Sequence, residues 1–437
     1  MKKTHLAVMV SALSLGLALS ASAKDIIIHA GHLIDGVSKT AKDNQSIIIK
    51  DERIVSIENG FVSHDGAEII DLSHDTVLPG LIDCHVHLSD SHHDGDPIRL
   101  SVTRTSYDDL IDAVNNAKAT LMAGFTSARD VGGQTDVVVA LKKAIKAKVT
   151  MGPRLWVSGK PLGPTDGHGD PLNGLNDSRF VDNGPTDVID SPEAARKAVR
   201  LLHRQGADLI KIMPSGGVMS IGDDPQAQLM TDDEIKAVID TAHVLGMKVA
   251  AHAHGEVAIN HTIALGVDSI EHGSYADAAS YALFKAHNTY LVPTLLVGGR
   301  VYEAALKHPE TLNPSTAQKA LVIGPMLINN LHNAYVAGVK IAFGTDTFGL
   351  SDHGENAQEF ALMAKAGMPA MEAIKAATYN AADLIGDSKD IGSVTAGHYA
   401  DIIAVEGDPL SQISLLEHVS FVMKGGQVVK KDSKPVL

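Results

Sequence analysis

The chain has 437 residues, 44% of them apolar, which suits one large domain, alone or with a smaller companion, around a sizeable core. Its formal net charge of −15 argues against nucleic acid and anionic lipid as partners. The one cysteine, Cys84, excludes an internal disulfide, so an exported form must be stable without one.

Residues 1–23 read as a secretory signal. Lys2 and Lys3 form a positive start, Leu6 to Leu19 an apolar stretch too short to span a bilayer, and Ala21-Ser22-Ala23 a cleavage site. The expected mature chain begins at Lys24 and belongs in a secreted or periplasmic setting. No other segment is apolar for long enough to be read as a membrane helix.

Next come Asp25–His29, Ser46–Lys50 and Arg53–Ile57, short β-branched runs broken by Gly, Asp and Asn. The same texture returns in Asp401–Val405 and Val419–Val429. Residues 24–78 and 387–437 are therefore expected to build one small β-sandwich domain from both termini. Between them, residues 79–386 alternate short apolar runs with amphipathic stretches.

The apolar runs are Leu81–His87, Thr126–Val131, Arg154–Gly159, Leu209–Met213, Lys248–His252, Ser269–His272, Tyr290–Thr294 and Lys340–Gly344. The amphipathic stretches include Asp108–Met122, Ser191–Gln205, Thr231–Gly246 and Pro369–Ile385, with Thr231 as N-cap and Glu234 at N3. This α/β alternation implies a parallel sheet, and eight units in this length imply a (β/α)8 TIM barrel. An open doubly wound sheet is the alternative, but no Gly-x-Gly-x-x-Gly follows the first strand.

His85 and His87 stand two apart on the first barrel strand, so both imidazoles share one face near its C-terminal end. Alone they fit half a zinc site or two satisfied core histidines. His252, His272 and Asp346 fall at the ends of three further strands, and a common cluster explains all five better than chance. Lys211 interrupts Leu209-Ile-Lys-Ile-Met213, where burial favours the neutral amine. Such an amine can react with carbon dioxide to give a carbamate able to bridge two cations; a lysine paired with a barrel carboxylate is the plainer alternative. Cys84, of opposite parity, should face the helices as a small buried hydrophobe.

These residues resemble the binuclear branch of the amidohydrolase superfamily. The resemblance implies His85, His87, Lys211, His252, His272 and Asp346 as metal ligands, with two divalent ions, zinc first among them, and a carbamate on Lys211. More narrowly, Lys211-Ile-Met-Pro-Ser-Gly-Gly-Val-Met-Ser220 and Gly167-His-Gly-Asp170 are similar to Xaa-Pro and Xaa-Arg/Lys dipeptidases and to amidases of N-acyl amino acids, including ochratoxin hydrolases.

The reaction implied is cleavage of a small amide or dipeptide with release of its C-terminal amino acid. Asp346 would move the proton of an activated water, as catalytic base and as ligand. His168 would donate to the substrate carbonyl and His254 would contact substrate. Gly216 to Gln228 reads as a lid or as a mobile surface loop. A basic C-terminal residue is the first expectation, with proline or an aromatic residue close behind, and a homo-oligomer is implied by resemblance. A mononuclear deaminase or cyclic-amide hydrolase similar to imidazolonepropionase is the competing enzyme reading. A non-catalytic binding protein on the same fold is the third.

Overall fold

The computed structural model describes residues 25–93, 97–170, 172–173, 188–349 and 352–436. The expected signal segment lies outside them. No helix among the described residues is long and apolar enough to cross a membrane.

Both termini meet in one eight-stranded sheet. The chain enters with β1 (Ile26–Leu33), β2 (Lys42–Lys50), β3 (Arg53–Asn59) and β4 (Glu68–Pro79). After the parallel strands β5 to β12 it returns with β13 (Ile402–Glu406), β14 (Phe421–Lys424), β15 (Gln427–Lys431) and β16 (Lys434–Pro435). The order is β16-β15-β14-β13-β4-β1-β2-β3, joined across the termini by antiparallel pairing of β13 with β4. Its own core gathers Ile28, Ile47, Ile49, Ile402, Phe421 and Met423. The β-branched runs of both ends thus find their partners in each other.

The middle of the chain supplies all eight parallel strands expected of it. They are β5 (Leu81–Val86), β6 (Phe125–Asp130), β7 (Arg154–Val157), β8 (Leu209–Ile212), β9 (Lys248–Ala253), β10 (Ser269–His272), β11 (Tyr290–Val292) and β12 (Lys340–Ile341). They form a three-stranded sheet, β5-β6-β7, and a five-stranded one, β12-β11-β10-β9-β8, as in TIM-barrel-type α/β folds. Backbone hydrogen bonds link the sheets at both edges. Asp208 N–H donates to Val157 O at 2.8 Å and Met213 N–H to Leu162 O at 2.9 Å on one side. Cys84 N–H donates to Phe343 O at 2.9 Å and Asp346 N–H to His85 O at 2.7 Å on the other.

Local signals placed the helices. Thr231 caps Asp232–Val244 and Glu234 completes the capping box, as its sequence foretold. Ser191 caps Pro192–Gln205, and Gly206 ends that helix in the left-handed region at φ 108°. Cys84 is buried among Ile82, Tyr290, Ala381 and Leu384, facing the helices as expected.

Two expectations need correction. Pro369–Ile385 is not one helix but two, Ala370–Ala376 and Tyr379–Ile385. The break frees carbonyls for the barrel: Ala376 O accepts from Phe343 N–H and Ala377 O from Ile82 N–H. β12 is correspondingly short, two paired residues, and beyond it the Phe343 N–H donates to the helix end while its carbonyl accepts from Cys84 of β5. Between β11 and β12 the chain makes three helices, Leu295–Lys307, Pro314–Ile323 and Leu327–Val336, which overhang the barrel mouth.

Candidate metal centre

The ends of the barrel strands open into a cavity of about 220 Å³, and all six expected ligands line it, together with His168 and His254. The strand pattern explains the placement. Period two turns His85 and His87 to the interior, and Lys211, His252 and His272 end the neighbouring parallel strands.

Two groups of donors emerge. Nε2 of His87 and of His85 lie 3.0 and 3.3 Å from Asp346 Oδ1, so three ligand atoms converge on one point. His252, His254 and His272 form the second group, with ring centroids 4.6 to 5.0 Å apart. His254, expected to contact substrate, stands near enough to act as a third nitrogen there.

In four of these rings the second nitrogen is already committed. Nδ1 of His85 meets Glu271 Oε2 at 2.8 Å, that of His87 meets Gly132 O at 2.9 Å, that of His254 meets Ser274 Oγ at 2.8 Å, and that of His272 meets Thr294 Oγ1 at 2.7 Å. This leaves Nε2 of each ring for the cavity, the arrangement by which proteins aim imidazoles at cations. His272 (φ 70°), Thr294 (φ 48°) and Asp346 (φ 55°) all occupy the left-handed region that side chains avoid. Strain of this kind gathers where surrounding contacts force a productive geometry. The donor set suits divalent cations of the zinc class.

Lys211 is 1% exposed, and its Nζ lies 3.5 Å from His85 Nε2. Among the described residues no carboxylate forms a salt bridge with it, so the plain reading of a paired lysine finds no partner. Burial pulls its amine down to about 8, against the opposing pull of Glu271 and Asp346.

The sequence reading overlooked the anchor beneath it. Glu271 accepts from Arg129 Nη2 at 2.8 Å on one oxygen and holds His85 on the other. Burial pushes the Glu271 carboxyl up, but Arg129 and His85 outweigh it and bring it to about 2. Asp83 was overlooked too. It accepts from the backbone N–H groups of His85 and Thr345 at 3.0 and 3.2 Å, clamping both sides of the Asp346 turn. A charge inside a buried run, the signal used for Lys211, marks all three.

His168 sits against His252, with ring centroids 4.2 Å apart, and its Nδ1 meets Ser220 Oγ at 2.9 Å. Burial lowers its pKa to about 4, with Asp223 pulling the other way. Ser220 gives its own proton to Asp223, at 2.6 and 2.7 Å from the two oxygens, so its Oγ accepts from His168 Nδ1–H. A neutral ring in that tautomer accepts at Nε2; the donor role expected of His168 requires the protonated ring.

Residues 76–429 match the model of the amidohydrolase family. The chain belongs to the amidohydrolase family. As an amidohydrolase it is a hydrolase acting on amide carbon–nitrogen bonds.

It is 32% identical to ochratoxinase of Aspergillus niger over 432 residues, covering 93% of this chain and 87% of that protein. The crystal structure of a Xaa-Pro dipeptidase with methionine bound in its active site is similar at TM-score 0.89 and 38% identity, covering 93% of this chain and all of that one. A prolidase crystallised with N-methylphosphonate-L-proline gives 0.85 at 30% identity, with the same coverage.

The wall of the amidohydrolase cavity was not legible beforehand. Val297, Val301, Ile323 and Leu327, from the helices between β11 and β12, line it together with Val218 and Phe348, which pack against the cluster that holds Val297 and Val301. Among the described lining residues the only carboxylates are Asp90 and Asp346, so a basic substrate side chain has no counter-charge along this wall.

Proposed function

We propose that the chain is a binuclear metal-dependent hydrolase. It cleaves the amide bond of dipeptides or N-acyl-L-amino acids and releases the C-terminal amino acid. One observation carries the reading: His85, His87, Lys211, His252, His272 and Asp346 converge on one cavity, with committed Nδ1 atoms behind three of the four ligand histidines. In this reading the two sheets, bonded at both edges, form a closed (β/α)8 barrel over residues 79–386. Residues 24–78 and 387–437 form the β-sandwich beside it.

His85, His87, His252, His272, Asp346 and Lys211, the last as its carbamate, would hold two divalent ions, zinc the first candidate. Such ions supply Lewis acidity and an activated water. Everything else is the chain's own work. Lys211, poised toward the neutral amine, forms the C–N bond to carbon dioxide and loses a proton. Asp346 takes the proton of the attacking water and delivers it to the leaving amine. Glu271 and Asp83 keep His85 and the Asp346 turn in place. His168 and His254 contact the substrate around the scissile amide.

The apolar wall favours a neutral, apolar side chain in the substrate over the basic residue first expected. This agrees with the methionine and proline groups held by the related dipeptidase and prolidase. Export remains part of the proposal, and the intact mass of protein recovered from the periplasm should show loss of residues 1–23. A homo-oligomer is likewise retained.

The test is a panel of dipeptides and N-acyl amino acids, free-acid and C-terminally amidated, on metal-loaded protein. Turnover of the free acids well above the amides supports the reading. Equal rates refute carboxylate recognition. Turnover of only a lactone, hydantoin or aminopurine refutes the peptidase assignment.

A further inference from the structure

The helix Pro314–Ile323 lies outside the barrel, yet its Lys319 reaches the loop that follows β8. Its Nζ donates to the carbonyls of Gly217 at 2.6 Å and Ser220 at 2.7 Å, and to the Asp223 carboxylate at 3.0 Å. The Lys319 side chain is 13% exposed and that of Asp223 is 1% exposed, so this pair is shielded from screening by water. Asp223 in turn accepts from Ser220 Oγ and from Gly217 N–H, and Ser220 Oγ meets His168 Nδ1. The segment read from sequence as a lid or a mobile surface loop is therefore tied down by one cation from a distant segment.

The tie has a steric half. A Cβ on Gly217 would lie 2.3 Å from His168 Nδ1, so the ring packs directly on the backbone that Lys319 holds. Val218 of the same loop joins the apolar cluster of Val297, Val301 and Ala320, placing loop and helix on one face. His168 thus has its ring plane set by Gly217 and its Nδ1 set by Ser220, and both depend on the same ammonium.

We propose that Lys319 is a positioning residue for the reaction, acting on His168 through Asp223 and Ser220. It does not touch the substrate. It fixes the loop whose backbone and hydroxyl orient the imidazole, and so couples the helices between β11 and β12 to the reacting end of the cavity. The proposal rests on the reading of His168 as a substrate contact.

The experiment measures kcat/KM and metal content in Lys319→Met, Lys319→Arg, His168→Ala and the His168→Ala/Lys319→Met pair. Lys319→Met is expected to lose about tenfold to a hundredfold in kcat/KM with metal unchanged, as for a misplaced catalytic group. Lys319→Arg should restore most of that loss. In the His168→Ala background, removing Lys319 should change kcat/KM by less than about twofold, because residues acting in series do not add.

Full additivity would overturn the proposal, as would wild-type kcat/KM in Lys319→Met. A damaged His168→Ala beside an intact Lys319→Met sinks the relay alone, whereas wild-type turnover in His168→Ala sinks the role of His168 as well. Should Lys319→Met fail to fold, Ser220→Ala cuts the same relay at a partly exposed loop position. The same non-additivity with His168→Ala is then required of it.

Discussion

Arg129 and Lys211 are both buried cations on barrel strands, and their surroundings differ in one respect. Arg129 gives its hydrogens to Cys84 O, Ser269 Oγ and Glu271 Oε1, leaving it a scaffold part. Among the described residues Lys211 forms no salt bridge with a carboxylate and its Nζ meets only His85 Nε2, which leaves its amine available for chemistry. The contrast extends to the acids. Asp83 and Glu359 are fully occupied by backbone and side-chain donors, while Asp346 meets two imidazoles across the space where a cation would sit. A buried ionisable group whose partners all lie in the protein builds the scaffold; one left facing the cavity builds the site.

Substitutions should therefore sort by which kind of group they remove. Asp346→Asn keeps size and one ligand oxygen but cannot accept a proton, so kcat should fall by about 10²–10⁴ with the melting temperature nearly unchanged. Near-normal kcat with metal bound would assign the proton to another group. Arg129→Met should do the reverse to the fold, leaving Glu271 buried without its cation at a cost of about 3–5 kcal/mol. Denaturant unfolding measures it, and an unchanged midpoint would erase the distinction drawn between the two cations.

The smallest effect concerns Glu359, whose carboxylate accepts from the N–H groups of Leu295 and Leu296 at 2.9 and 2.6 Å. It thereby caps the helix that begins just after Thr294, the partner of His272. Burial, aided by Asp83, pushes this carboxyl from 4.5 up to about 8 despite those two donors. With its folded value raised, the stability it contributes is complete below about pH 4.5 and is lost as pH rises through 8. Glu359→Gln stays neutral, so its melting temperature should gain on the native chain steadily from pH 5 to 8. A constant difference over that range would mean that Glu359 is already ionised in the folded protein.

Much of this was legible because the physics was local. Buried parallel strands read as apolar runs, and ligand-type residues at their ends stand out against that background. The six-member ligand set followed from those interruptions and from the family resemblance. Arg129, Glu271 and Asp83 carried the same signal as Lys211, but as partners of one another they have no meaning until the strands are placed side by side. The break at Ala377–Thr378 was hidden because the residues that favour it, Phe343 and Ile82, are far away in sequence. Lys319 was invisible for the same reason, since its partners lie about a hundred residues earlier on a loop with no periodicity.

The central claim is that the cavity's uncommitted donors hold two ions that the reaction needs, with Lys211 joining them. It is tested most directly by stripping the protein with a chelator and returning zinc stepwise in bicarbonate buffer while following turnover of a free-acid dipeptide. Activity should rise to a plateau at two equivalents per chain, and Lys211→Ala should reach no such plateau. Full activity at one equivalent, or in the chelator itself, would contradict it.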